Sequence, residues 1–141
     1  MMLTLKARGH RLTKVRRAVA GVFLKNPAPL SVPQVMAALK TLGVSSDRTT
    51  VYREVEFLRR QDILGEVNLG TGIRCYEIRR HSRHHHLHHH HLMCIRCNGV
   101  ECVELETCIE TEERRILNNM NFKVLNHSLN FYGICARCND V

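Results

Sequence analysis

Hydrophobic residues recur at helical spacing through the first part of the chain. Val15, Val19, Val22 and Phe23 make one such series, with Thr13 placed to cap it and Asn26-Pro27 to end it. A short helix over residues 3–8, stopped by Gly9, precedes it. Val35, Ala38, Leu39 and Leu42 predict a second inward stripe, opened by Ser31 and closed by Gly43, with Pro33 tolerated in the first turn. Ser46 leads into a third segment, residues 47–61, where Val51, Val55 and Leu58 sit at i, i+4 and i+7 and form the buried side. Thr49, Tyr52, Arg53, Arg59 and Arg60 are left on the other faces. The period then shortens to two, and residues 65–69 and 74–78 read as strands around a Gly70-Thr71-Gly72 turn. Three helices and a two-stranded wing predict a winged helix, the helix-turn-helix variant whose last helix enters a DNA major groove.

The composition changes after Arg79-Arg80, which sets the expected domains at residues 1–80 and 81–141. In the second, residues 88–95 and 99–103 read as strands around a Cys-x-x-Cys turn. Residues 104–119 read as an amphipathic helix carrying Leu105, Ile109, Ile116 and Leu117. Residues 122–131 read as a return strand that runs to Gly133 and a second Cys pair. The fold class is therefore α+β: a winged helix-turn-helix domain, then a small α/β domain. So short a second domain needs help, for which a zinc staple and a partner subunit are the usual remedies.

Charge sharpens the division. Residues 1–80 hold 15 Lys/Arg against 6 Asp/Glu, whereas residues 81–141 hold 6 against 7. A basic half joined to a near-neutral half rich in metal ligands implies an anion-binding module attached to a sensing or dimerising one, although a solvated basic surface gives the same charge. No stretch approaches the ~20 apolar residues of a membrane span. The polar start of the chain has no long apolar run of a secretory signal, so a cytoplasmic protein is expected.

The candidate chemistry is concentrated in one stretch. Seven histidines between His84 and His91 run into Cys94-Ile95-Arg96-Cys97, and the chain closes with Cys135-Ala136-Arg137-Cys138. Two Cys-x-x-Cys pairs supply four thiolates, a set that fills a tetrahedral zinc shell and leaves no position for water, hence a structural rather than catalytic site. On a strand, successive side chains point to opposite faces. His88 and His90 then face one way, His89 and His91 the other, so that one run can feed two further metal sites. Glu77, Cys102, Glu110 and His127 are available as additional ligands. His84, His85 and His86 precede the expected strand and read as a loosely binding tract or a tag. Cys75 and Cys108 read as small buried residues, and His10 as solvated or near phosphate.

At these residues the chain resembles the ferric uptake regulator (Fur) family, which includes iron, zinc, manganese, nickel and peroxide sensors. The resemblance is carried by Gly9-His10-Arg11-Leu12-Thr13 with Arg16, Thr50-Val51-Tyr52-Arg53, Tyr76-Glu77, residues 88–97, and His127-Ser128-Leu129 running to Tyr132-Gly133 and Cys135. It implies a metal-dependent repressor of metal-homeostasis genes that is not an enzyme. The architecture it implies is a winged helix, a hinge and a homodimerising α/β domain. Structural zinc would be held by Cys94, Cys97, Cys135 and Cys138. A regulatory Zn2+ or Fe2+, with Mn2+ a third option, would be held at the hinge by Glu77, His89, His91 and Cys102. A further site would comprise His88, His90, Glu110 and His127. The partner implied is double-stranded DNA with an AT-rich palindromic operator, contacted by Thr50, Tyr52 and Arg53 from the recognition helix and by Arg11 near the minor groove. Tyr52 read alone also suits an aromatic packed on the wing.

The chain departs from the family pattern in three places. Pro29 stands where many members carry a histidine ligand. Cys102 stands where a carboxylate is usual, which favours zinc or another ion tolerant of soft donors. The stretch from Glu77 to the His run is longer than usual. Readings from other classes fare less well. A zinc hydrolase lacks an H-E-x-x-H helix and leaves the basic half unexplained. A His-rich metal buffer would show no metal-dependent affinity for duplex. A peroxide-sensing member would normally keep a carboxylate where Cys102 sits.

Overall fold

A computed structural model of the chain describes residues 2–79, 89–105, 109–125 and 127–139, with side chains from Leu5 onward. The expected ligand His88, the tract His84 to His86, and Cys108 lie outside the described residues. The chain divides into two compact units, Met1–Arg80 and His81–Val141.

The first unit runs α1 (Met2–Ala7), α2 (Lys14–Lys25), β1 (Leu30–Ser31), α3 (Val32–Thr41), α4 (Arg48–Arg60), β2 (Leu64–Asn68) and β3 (Arg74–Ile78). Each main helix begins at a side chain that satisfies an orphan backbone N–H. Thr13 Oγ1 accepts from Arg16 N at 3.1 Å, and Asp47 Oδ1 accepts from Thr50 N at 2.9 Å. Ser31 and Gln34 form a capping box in which Gln34 Oε1 accepts from Ser31 N at 2.8 Å. Helix α3 stops at Gly43, whose φ of 67° is the left-handed turn that only glycine adopts without strain.

The stripes read from the sequence meet in one core. Val19, Ala20, Val22 and Phe23 of α2, Val32, Val35 and Leu39 of α3, and Val51, Val55 and Leu58 of α4 are all buried, closed by Ile63, Leu64 and Tyr76. Two details differ from expectation. Leu42 is exposed, because the helix ends beneath it and α3 caps through its backbone N–H to Ala38 O. The wing has three strands in the order β1-β3-β2, since Leu30 and Ser31 pair with Tyr76 and Cys75.

The second unit is a three-stranded sheet of order β5-β4-β6. Its central strand β4 (His89–Cys94) pairs antiparallel with β5 (Val100–Glu104) and parallel with β6 (Asn130–Gly133). Helix α5 (Glu110–Met120) and the short α6 (Ala136–Asn139) complete it. The expected helix from residue 104 is corrected at its start: Glu104 is committed to the ladder opposite His89. Helix α5 begins at Glu110, where Glu110, Glu112 and Glu113 meet the positive end of the helix dipole. The expected return strand over 122–131 is corrected at both ends: β6 begins only at Asn130 and runs on to Gly133, where β4 offers a parallel edge from His91 to Cys94.

This unit buries little. Among its described residues only Met93 and Cys94 are buried apolar side chains, joined by His90 and His91. Leu117, Met120, Phe122, Leu125, Phe131, Tyr132 and Ile134 are exposed. The two units therefore differ in kind, one closed on a packed core and the other with few buried apolar side chains among its described residues. In urea unfolding, Leu39→Ala is expected to cost roughly 2–5 kcal/mol. Leu42→Ala, three residues on, should stay within about 0.5 kcal/mol.

Candidate metal centres and nucleic-acid face

The four Cys-x-x-Cys sulfurs come from the end of β4 and the start of α6. Cys94 closes β4 and Cys97 follows in a tight turn; Cys135 precedes α6 and Cys138 lies within it. Their Sγ atoms all lie within 4.8 Å of one another, and Cys97 Sγ is 3.7 Å from Cys135 Sγ. Thiolates about 2.3 Å from a shared tetrahedral ion stand ~3.8 Å apart, so the residues fit zinc. Gly99 belongs to the same knuckle, because a Cβ there would lie 3.2 Å from Cys97 Sγ.

The surrounding backbone prepares the donors. Cys135 N–H donates to Cys94 Sγ at 3.4 Å. That bond, with another from the Cys97 backbone, brings the Cys94 thiol down to about 6, which favours the thiolate that a metal requires. Cys138 is pushed up to about 12 by hydrogen bonding with the Cys135 and Cys97 thiols and must surrender its proton on binding. Arg96 Nη1 donates to Cys138 O and ties the first loop to α6 at 2.5 Å.

The pleat of β4 sorts the histidines. His89 and His91 lie on one face, their rings edge to face with centroids 5.2 Å apart. Cys102 stands directly across from His91 on β5, and the ligand atoms of these three residues fall within 4.8 Å of one another. Two imidazoles and a thiolate make a donor set suited to zinc and open to other divalent first-row ions. Glu77 lies on β3 of the first unit, opposite Gly65.

His90 points to the other face and is buried. Its ring centroid is 6.1 Å from that of His127, and His127 Nδ1 lies 2.8 Å from Glu113 Oε1. Glu110 opens α5, and its Oε1 is buried. Glu113 was absent from the sequence-derived ligand set. Its signal was available, since it stands one helical turn beyond Glu110 and so shares its face. A carboxylate on one imidazole nitrogen fixes the tautomer and turns the other nitrogen outward as a donor.

In the first unit, α4 presents Arg48, Thr49, Tyr52 and Arg53 to solvent, and Arg11 is exposed in the segment before α2. Arg48 lies over the Tyr52 ring, 5.5 Å from its centroid. Thr50 is half-buried, and its hydroxyl donates to Asp47 Oδ2 at 2.6 Å. Arg59 and Arg60 both bind Glu56; hydrogen bonds from Arg59 first and Arg60 second hold that carboxyl down to about 2. His10 corrects the expectation of an open or phosphate-bound ring. It is half-buried, with Nε2 3.0 Å from Gln61 Oε1 and its ring edge-on to Phe57.

Zinc removal tests the thiolate centre. Native mass spectrometry of Cys135→Ser should show one fewer tightly held zinc, with melting of the C-terminal unit at lower temperature and the N-terminal unit unchanged. Because Cys138 binds as a thiolate, zinc affinity of the stripped protein should rise with pH. A pH-independent affinity would count against four-thiolate coordination.

Known proteins resemble the chain in sequence and in fold. The sequence profile described as "Ferric uptake regulator family" matches residues 7–132. The ferric uptake regulation protein of Bacillus subtilis is 35% identical over 140 residues, covering 96% of this chain and 89% of its own. The Vibrio cholerae ferric uptake regulator superposes with a TM-score of 0.76 at 27% identity, over 94% of this chain and 98% of its own; its structure is described by a rearrangement of DNA-binding domains. The Francisella tularensis ferric uptake regulator, solved with iron, gives 0.76 at 26% identity over 93% and 96%. With residues 7–132 matched by the family profile and a mixed α+β fold shared with its solved members, the chain belongs to the ferric uptake regulator family of metal-responsive transcription regulators.

Proposed function

We propose that this regulator is a metal-dependent repressor that binds an AT-rich palindromic operator as a homodimer, and that zinc is its signal. The observation that carries the reading is the pairing, in one chain, of an exposed basic helix with the His89, His91 and Cys102 donor set. Residues 1–80 supply the anion-binding half, and Tyr52 and Arg53 on α4 are the base and phosphate contacts. Arg11 reaches the minor groove, and Thr50 joins Tyr52 and Arg53 in the contact made by the start of α4. Support comes from the DNA-binding domains of the Vibrio cholerae relative.

The regulatory ligands in this reading are His89, His91 and Cys102, with Glu77 contributed by the winged-helix unit. A bound ion supplies positive charge that these donors share. Donors drawn from both units then fix the angle between the winged helix and the dimer domain, so that two recognition helices reach half-sites one helical turn apart. The ion must favour that arrangement over others, and such couplings amount to about 1–3 kcal/mol. The Cys102 thiolate is the reason for preferring zinc; the iron-bound Francisella tularensis relative supports Fe2+ as the alternative. His88, His90, Glu110 and His127 form the additional site, with Glu113 orienting His127. The exposed apolar residues of the second unit are the surface for a second copy of the chain. No described helix is long and apolar enough to cross a membrane, in keeping with a cytoplasmic repressor.

Duplex binding tests this directly. Metal-stripped protein, with the thiolate centre left loaded, is titrated against a palindromic AT-rich duplex in the presence of zinc, ferrous or manganese ion. Zinc should tighten binding by roughly 5–150-fold, and Cys102→Ser should remove most of that gain. Restoration by ferrous ion alone would move the reading to iron. Equal, salt-limited binding with and without metal would sink the regulatory site.

A further inference from the structure

The basic segment ahead of α2 carries Arg11, Lys14, Arg16 and Arg17, and three of these are exposed. Arg16 is not. Its side chain is only 14% exposed and its guanidinium is used on every side. Nε and Nη2 donate to the two carboxylate oxygens of Glu54 at 2.7 and 3.3 Å. Nη1 donates to the backbone carbonyl of Arg11 at 2.6 Å. The flat face covers the Phe57 ring, 3.7 Å from its centroid. Glu54 and Phe57 both belong to α4.

A second fixing point lies at the other end of the same segment. Arg8 Nη1 donates to Gln61 O at 2.8 Å, and His10 Nε2 is 3.0 Å from Gln61 Oε1. Residues 8–11 therefore lie along α4, bound near Gln61 at one end and near Glu54 at the other. The chain turns after α1 at Gly9, whose φ is 75°, and the long Arg16 side chain completes the link by holding the Arg11 carbonyl beside Glu54. The segment runs against the direction of α4 and delivers Arg11 toward the part of the helix that bears Tyr52 and Arg53.

We propose that Arg16 is a positioning residue for operator reading, a buried clamp that sets Arg11 at a fixed offset from the recognition helix. The proposal rests on the DNA-binding reading above and deepens it. It follows that Arg16 touches no phosphate, although it sits in the most basic part of the chain. It follows too that lysine is no substitute. A single ammonium on a flexible stem cannot fork Glu54, reach the Arg11 carbonyl and lie flat on Phe57 together. Positioning of this kind matters because the minor-groove contact and the major-groove contacts must be made in one register.

The test uses the full-length, metal-loaded protein and a palindromic AT-rich duplex that the parent selects from a random pool. A second duplex replaces the flanking adenines by 2,6-diaminopurine, which places an amino group in the minor groove and leaves the major-groove face unchanged. The parent should bind the diaminopurine duplex about tenfold more weakly, the size of one lost base contact. Arg16→Lys should bind both duplexes alike, at the parent's weakened level, with an unchanged salt slope because no phosphate contact is lost. Without DNA, hydrogen exchange should show the backbone amides of residues 9–12 opening faster in the variant while those of α4 stay protected. Glu54→Gln keeps the shape of the side chain and should move each readout in the same direction by less. A variant that loses affinity equally on both duplexes with a shallower salt slope would make Arg16 a phosphate contact and overturn the proposal. Unchanged exchange in residues 9–12 would overturn it as well. A parent that binds no duplex overturns the DNA-binding reading itself, an outcome visible before any variant is made.

Discussion

Side chains alternate across a strand, and in β4 that alternation divides the candidate metal ligands described in the second unit. His89 and His91 go to one face with Cys102, His90 goes to the other with His127, and Cys94 ends the strand in the thiolate knuckle. A shift of one residue in the pairing of β4 with β5 would exchange the two faces. The His91–Cys102 set would be lost, and His90 would be carried away from His127. Register is therefore the quantity the unit must protect. It is held from both sides, by β5 antiparallel and β6 parallel, and at the end by four sulfurs that join the β4 turn to α6. Apolar burial adds little, since the described side chains of this unit bury only Met93 and Cys94.

The first unit is built on the opposite principle. Its three main helices begin at capping side chains and close on a continuous core of aliphatic residues, which needs no metal. That core leaves the exposed face of α4 free to carry function. The charge follows the same division, with the excess of arginine and lysine confined to residues 1–80. The proposed function uses both halves, a close-packed basic unit for the operator and a unit rich in metal ligands for the signal.

The helices of the first unit were legible in the sequence because several local signals agreed at each. Thr13 and Ser31 announced two of the starts, Ser46 pointed to the third one residue ahead of its actual cap Asp47, and the valines and leucines kept a period near 3.6. The thiolate centre was legible from spacing alone, and the two faces of the His run from strand geometry. Other features depended on partners distant in sequence. Two-residue β1 has no period to read, and its partners on β3 are distant in sequence, Tyr76 for Leu30 and Cys75 for Ser31. The parallel seat of β6 beside β4 was likewise invisible. Helix α5 was started too early because the apolar residues Leu105 and Ile109 fit a helical period that the β5 ladder overrides at Glu104. The contacts of Arg16 and His10 were invisible too, since nothing local reveals that Glu54, Phe57 and Gln61 return to meet them.

The division of metal sites by β4 is tested most directly by counting zinc ions under native mass spectrometry in His91→Ala and His90→Ala. The account predicts that each substitution removes a different ion: the His91 variant loses metal-dependent duplex binding and keeps the His90 ion, while the His90 variant does the reverse, and both retain the four-thiolate zinc. Loss of the same ion from both variants would contradict it, because the two histidines would then share one site rather than stand on opposite faces of the strand.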